Sequence, residues 1–177
     1  MKNKQLKRLV FAALLLALGY ILPFFTGQIP EIGSMLLPMH LPVLVCGIIC
    51  GWQWGAAVGF VLPLTRSLMF GMPPIYPSAL AMAFEMATYG LIIGLCYKLF
   101  PKKGLLTVYA SLIIAMLAGR AVWGTVQCIL LGLGDNSFTF AAFIAGAFVN
   151  AIPGIVLQLV LIPALIFVLQ RYTKVIE

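Results

Sequence analysis

The stretch PMHLPVLVCGIICGWQWGAAVGFVLPLTRSLMFGMPP, residues 38–74, decides how this chain is read. It is almost wholly apolar, yet it carries His40 at its start and Arg66 deep in its second half. Between them Gly47, Gly51, Gly55 and Gly59 recur at four-residue spacing, a pattern that lets a neighbouring helix approach closely. A guanidinium inside hydrocarbon costs roughly 3 kcal/mol on insertion scales, so it persists only where something answers it. The rest of the chain has to surround that charge, and a water-facing substrate pocket is the expected surrounding.

Working outward, composition excludes a soluble domain. Of 177 residues, 63% are hydrophobic and 8% charged, and mean hydropathy is +1.13, whereas a soluble domain carries about a quarter charged residues. The expected fold is all-α: an integral membrane six-helix bundle, forming a single domain over residues 1–177. The length accommodates about six spans of roughly 20 residues. The first apolar run has no small-residue cleavage site before Pro23 and further spans follow it, so it reads as a span and not a cleaved signal.

Spans are expected at residues 9–25, 40–50, 56–70, 78–100, 105–131 and 138–170. The second is short and borrows from its flanks. The connection 26–39 is long and half apolar, a loop able to fold back over something. Residues 51–55 read as a tight turn with two tryptophans at an interface. Pro73, Pro74 and Pro77 exclude helix over 71–77, Ser78 reads as an N-cap, and 132–137 is a polar turn. Pro63 is expected to kink the third span, and the long sixth span to tilt or kink at Pro153 and Pro163.

The formal charge of +7 suggests nucleic acid until position is considered. Lys2, Lys4, Lys7 and Arg8 precede the first span, Lys98, Lys102 and Lys103 flank one short loop, and Arg171 and Lys174 follow the last span. With both termini cytoplasmic, all of these fall on the inner side, as the positive-inside rule requires, and no nucleic-acid partner is implied. The outer loops 26–39, 71–77 and 132–139 hold Glu31 and Asp135 but no Lys or Arg. Cys46, Cys50, Cys96 and Cys128 read as small buried hydrophobes, and two thiols without a paired His or carboxylate make no metal site.

Topology leaves Arg66 and Arg120 unexplained. At about 1.5 Å per residue, Glu85 lies roughly 10 Å below the outer end of its span, Arg120 roughly 20 Å above the inner end of its own, and Asn150 about 15 Å below the outer end of the last. Four helices thus send polar groups to one level in the outer leaflet, with Gln127 among them and Gln158 deeper. One arrangement pairs Arg66 with Glu85 and satisfies Arg120 through Asn150 or backbone carbonyls. Two guanidiniums still face one carboxylate, and arginine does not lose its proton. A small ligand with an acidic group, entering from outside and bound by Arg66 and Arg120, resolves the imbalance. Trp123, Tyr76, Tyr89 and Phe84 are candidate apolar walls. His40 is expected as a solvated interfacial side chain, with a ligand hydrogen bond or pH sensing as its alternative. No nucleophile motif, phosphate loop or paired carboxylate site is present, so neither catalysis nor a cofactor is expected.

In the first span Ala13 and Ala17 stand at i and i+4 in an otherwise bulky helix, a shallow notch near the cytoplasmic end. With that pair, the Pro-rich start and Gly-rich turn of residues 40–64, the six spans and the basic inner loops, the chain resembles the substrate-binding S components of energy-coupling factor (ECF) vitamin transporters. The resemblance covers essentially the whole chain, and residues 40–64 look like the membrane core of riboflavin and pantothenate-type members. It implies a multi-pass protein of the bacterial plasma membrane that binds a vitamin. It also implies docking of Ala13 and Ala17 on a transmembrane coupling subunit, with two ATPase subunits supplying the work. Loops 26–39, 71–77 and 132–139 then gate an outward pocket lined by Arg66, Glu85, Arg120, Trp123, Asn150, His40 and Tyr89. The surplus positive charge favours an anionic vitamin such as pantothenate. A riboflavin-type component, with Trp123 stacking, and a stand-alone carrier driven by protons through Glu85 are the alternatives; no inverted repeat supports the carrier.

Overall fold

Every regular element in the computed structural model, which describes residues 2–26, 29–101, 104–132 and 139–172, is helical. In order these are α1 (Lys2–Ile21), closing in a 3₁₀ turn (Leu22–Thr26), α2 (Pro30–Leu36), α3 (His40–Ile49) and α4 (Trp52–Phe70). A wide π-type turn (Ile75–Ala79) leads into α5 (Leu80–Leu99), followed by α6 (Leu105–Gly132), α7 (Phe140–Ile144), a second wide turn (Ala145–Val149) and α8 (Ile152–Tyr172). Among the described residues, four stretches are long and apolar enough to cross a membrane: Lys4–Phe25, Ile75–Leu99, Leu105–Gly132 and Phe140–Leu169. Ten-residue α3 is too short to do so alone at 1.5 Å per residue, and most of it is buried inside the bundle.

Helix α5 is the centre: α4 and α6 flank it and α3 packs on it, while α1 lies against α3 and α4, and α8 against α6, α3 and α2. Glycine makes the α3–α4–α5 junction possible. A Cβ on Gly47 would stand 2.6 Å from the Gly90 carbonyl oxygen, one on Gly55 2.6 Å from the Gly47 Cα, and one on Gly94 2.6 Å from the Trp52 Cα. Where lipid is as apolar as the side chains, this backbone-to-backbone approach is what holds helices together. Leu44, Tyr89, Ile93, Leu112 and Ile162 fill the space on the α6–α8 side, and Ala12, Val43, Cys46, Val58, Leu62 and Met86 the space on the α1–α4 side. Cys46 and Cys50 are buried as expected, but Cys96 is half-buried and Cys128 exposed on α6.

Several sequence expectations shift. The tight turn is Cys50–Gly51, where Gly51 adopts φ 97°, and Trp52 to Gly55 already belong to α4. Gly51 therefore serves the chain reversal, not the packing ladder. Residues 71–74 are non-helical as the prolines require; the wide turn that follows carries Tyr76 in extended geometry. Ser78 is not the N-cap of α5: Ala79 holds that position without a side-chain hydrogen bond. The last apolar run is interrupted at Asn150–Ala151, upstream of Pro153, which sits in the first turn of α8 where a missing N–H is harmless. Of the polar turn expected at 132–137, Gly132 ends α6 and residues 133–137 lie outside the described residues, as do Lys102, Lys103 and Lys174.

The long first connection does fold back. Helix α2 lies on the start of α8, where a Cβ on Gly154 would meet the Met35 carbonyl oxygen at 2.6 Å. Leu37 ends α2 in the left-handed region (φ 50°), its N–H bonding the Gly33 carbonyl, and turns the chain into α3. That turn buries His40, with 1% of its surface exposed. His40 is thus an interior residue, against the interfacial role expected of it, because the folded-back loop takes the surface position.

Candidate functional site

Under α2 lies a cavity of about 360 Å³. Its walls include Ile29, Gly33 and Leu37 from the first connection and Met72, Pro73 and Pro74 from the second. The polar groups facing it are His40, Arg66, Ser78, Glu85, Arg120, Gln127 and Asn150, with Trp123 alongside. Six of the seven ligand residues expected from sequence therefore line one space. The seventh, Tyr89, lies behind it.

The cluster begins at Glu85, on the central helix and 1% exposed. Its Oε1 stands 2.8 Å from Arg120 Nη1 and 3.7 Å from His40 Nε2, and it accepts a hydrogen bond from the Tyr89 hydroxyl at 3.1 Å. Glu85 and Tyr89 are one helical turn apart, so one face of α5 supplies both. The Tyr89 and His40 rings meet edge to face at 5.3 Å. Because α5 touches α3, α4 and α6, a carboxylate on it reaches both His40 and Arg120. A carboxylate so deeply buried needs such partners, since an unpaired buried charge is strongly unfavourable. Satisfaction stops short of complete: Arg120 Nε and Nη2, both ring nitrogens of His40 and Gln127 Oε1 are buried without a hydrogen-bond partner.

Arg66 sits differently. The sequence arrangement that paired it with Glu85 is not the one observed: the carboxylate goes to Arg120, and Arg66 Nη1 donates to the Tyr20 carbonyl at 2.8 Å. That carbonyl belongs to the last turn of α1, where intrahelical donors run out. Pro23, its partner in a 3₁₀ turn, has no N–H to give. The guanidinium lies 5.4 Å from the Phe24 ring centre and 5.2 Å from that of Phe70, in cation–π range of both. Arg66 is 3% exposed, and the salt bridges among the described residues, both made by Glu85, do not include it.

The expected aromatic walls divide. Trp123 lines the cavity, stacked on Phe143 at 6.2 Å, and Gly146 lies under its ring edge, where a Cβ would come within 2.8 Å of Cη2. Tyr76 and Phe84 are exposed; the Tyr76 hydroxyl donates to the Leu130 carbonyl, and Phe84 packs on Phe60. Asn150 reaches the cavity from the break before α8. From sequence Gln127 is expected to be membrane-embedded but not to belong to the site. The signal was its register with Arg120, seven residues apart on one helix. On α1, Ala13 and Ala17 are both exposed, among exposed Val10, Leu14 and Leu18.

A bundle of apolar helices closed around a cavity with buried, partly unsatisfied polar walls is the architecture of a membrane protein that holds a small solute. The chain belongs to the family of ECF transporter substrate-specific components, whose family model matches residues 7–166. It is therefore an integral membrane, substrate-binding part of a transporter and not an enzyme. Membership implies association with the ECF transmembrane and ATPase subunits. No curated protein and no solved structure matches the chain.

Proposed function

We propose that this S component captures a small monoanionic nutrient, with pantothenate the favoured candidate. One observation carries the reading. The cavity faces two guanidiniums and one carboxylate, and Glu85 is spent on Arg120, so among the described residues the charge of Arg66 has a carbonyl and two aromatic rings to answer it. A ligand anion is the complement of that charge in a low-dielectric cavity. At about 360 Å³ the space lies near the lower end of the range for small-molecule sites, roughly 300–1,000 Å³, which suits a vitamin-sized ligand. The proposed topology has six crossings and both termini cytoplasmic, the cavity opening outward beneath the first and second connections.

Transport belongs to the assembly. Ala13 and Ala17 form the notch on which the coupling subunit docks, and two ATPase subunits supply the energy. Ala13→Leu is expected to leave ligand affinity unchanged and abolish uptake in cells; normal uptake would make the notch ordinary surface. The binding reading is tested by mass spectrometry of the molecule that copurifies, followed by calorimetric titration with pantothenate and with riboflavin. Saturable pantothenate binding that weakens at least tenfold in Arg66→Leu is the expected result. Riboflavin is the second reading, favoured by the Trp123 ring backed by Phe143 at the cavity wall; tight riboflavin binding unaffected by Arg66→Leu would replace the first. Solute uptake by the purified chain in ATP-free liposomes would instead establish a proton-coupled carrier.

A further inference from the structure

Arg120, Trp123 and Gln127 stand at i, i+3 and i+7 on α6, so one face of that helix carries all three, and all three line the cavity. Arg120 and Gln127 are 5% and 7% exposed. Arg120 Nε and Nη2 are buried donors without a partner, and Gln127 Oε1 is a buried acceptor without one. Buried polar groups in folded proteins are satisfied by protein, water or ligand. Glu85 has already neutralised Arg120, so the stripe offers hydrogen bonds and no net charge. Trp123 lies between its two ends, its ring held by Phe143 and by the Gly146 backbone.

Resting on the reading above that a monoanion fills the cavity, we propose that this stripe is the subsite for the ligand's uncharged tail. The tail carries a hydrogen-bond acceptor for Arg120 and an O–H or N–H donor for Gln127. The two are separated by up to about 10 Å, the rise of two helical turns. The substrate class is a hydroxy- or amide-bearing monocarboxylate. Dicarboxylates are disfavoured, because Arg66 is the one cavity-lining guanidinium without a carboxylate among the described residues, and plain fatty acids leave both ends of the stripe unsatisfied.

The test is calorimetric titration of the purified full chain with three probes. Pantothenate has the carboxylate and the polar tail, panthenol has the tail with the carboxylate replaced by an alcohol, and octanoate has the carboxylate with an apolar tail. Pantothenate is expected to bind at least tenfold more tightly than either of the others. Gln127→Leu is expected to weaken pantothenate about tenfold, the scale of one lost hydrogen bond, and to leave octanoate unchanged. A merely structural role for Gln127 would weaken both probes alike and overturn the inference. Octanoate binding as tightly as pantothenate would also overturn it while leaving the anion reading intact. Panthenol matching pantothenate, with Gln127→Leu weakening both, would retain the tail subsite and sink the anion reading. Binding of none of the three removes the substrate class altogether. Should Gln127→Leu fail to fold, Gln127→Glu keeps the acceptor oxygen but adds a second carboxylate. It is expected to retain panthenol and lose pantothenate at least tenfold by like-charge repulsion; unchanged pantothenate affinity would overturn the proposal.

Discussion

The two buried arginines face one cavity from different helices and are held there by different means. On the α3–α5–α6 side, Arg120 is held by a carboxylate at 2.8 Å, itself tied to Tyr89 and close to His40. On the α1–α4 side, Arg66 is held by the end of a helix and two phenylalanine rings. A helix C-terminus carries roughly half a negative charge and an aromatic face less than a formal charge, so neither cancels a guanidinium. The first side is electrically closed and offers spare hydrogen bonds. The second is electrically open. On the proposed reading, the first arginine serves stability and the second attracts the anion.

The comparison breaks most readily at Glu85. Glu85→Gln keeps the shape but leaves Arg120 buried without a counterion, which costs about 3–5 kcal/mol when one partner of a buried pair is removed. Thermal unfolding in detergent should show the largest loss of any single change in the cavity. Replacing both members, Glu85→Gln with Arg120→Leu, should restore much of it, because no charge is then stranded. An unchanged melting temperature in Glu85→Gln would mean that the pair is solvated through the cavity and that the two sides do not differ. Arg66→Leu is the mirror experiment. It removes a charge that no carboxylate among the described residues neutralises, so stability is expected to hold or rise while affinity for a monoanion falls at least tenfold. Destabilisation comparable to Glu85→Gln would assign Arg66 to the scaffold.

Tyr89→Phe sharpens the closed side by a smaller step. It deletes the hydroxyl that donates to Glu85 at 3.1 Å and preserves the ring against His40. A hydrogen bond to a charged group is worth about 1.5–3 kcal/mol, and Arg120 still neutralises the carboxylate, so the loss should sit at the low end and appear in the melting temperature. Since Tyr89 lies behind the cavity wall, ligand affinity should barely move. A large affinity change with little change in melting would show that the hydroxyl reaches the ligand.

Legibility in the sequence followed physical range. Lengths and apolar runs set α4, α5 and α6 to within a few residues, because lipid enforces helix where hydropathy is high, whereas α1 starts at Lys2, well before the apolar run expected at 9–25, and ends at Ile21. The imbalance of two guanidiniums and one carboxylate was likewise readable, since charge counts need no geometry. Partner choice was not. Arg66 and Glu85 lie on adjacent, extensively packed helices, and nothing in spacing says that Glu85 turns toward α6 instead. Pro23 beside a helix end was the available clue to where Arg66 finds its carbonyl. The burial of His40 depended on a tertiary fact, the folding of α2 back over α8, that a half-apolar loop only hints at. Trp123 is legible from its spacing of one turn from Arg120, but what fixes its ring, Phe143 and Gly146, comes from a segment remote in the chain.

That remote support supplies the smallest expected effect. Gly146 lies in the wide turn Ala145–Val149, and the Trp123 ring edge occupies the place of its missing side chain, 2.8 Å from where a Cβ would be. Ala at this position must push the indole by a few tenths of an ångström or shift the turn, while Phe143 still stacks on the other part of the ring. Trp123 is half-buried, so the ring has room to yield toward the cavity and the fold is expected to survive with a melting temperature close to that of the parent chain. Space along the α6 stripe shrinks, so ligand affinity should drop a few-fold, read by quenching of tryptophan fluorescence on titration. Arg66 is held by the Tyr20 carbonyl, Phe24 and Phe70 and Trp123 by other groups, so the few-fold loss should persist unchanged in the Arg66→Leu background, the two effects adding as independent sites do. Strong coupling between them would mean that one rigid ligand is gripped at both ends, and the division between an anion-attracting side and a tail-reading side would give way to a single concerted clamp.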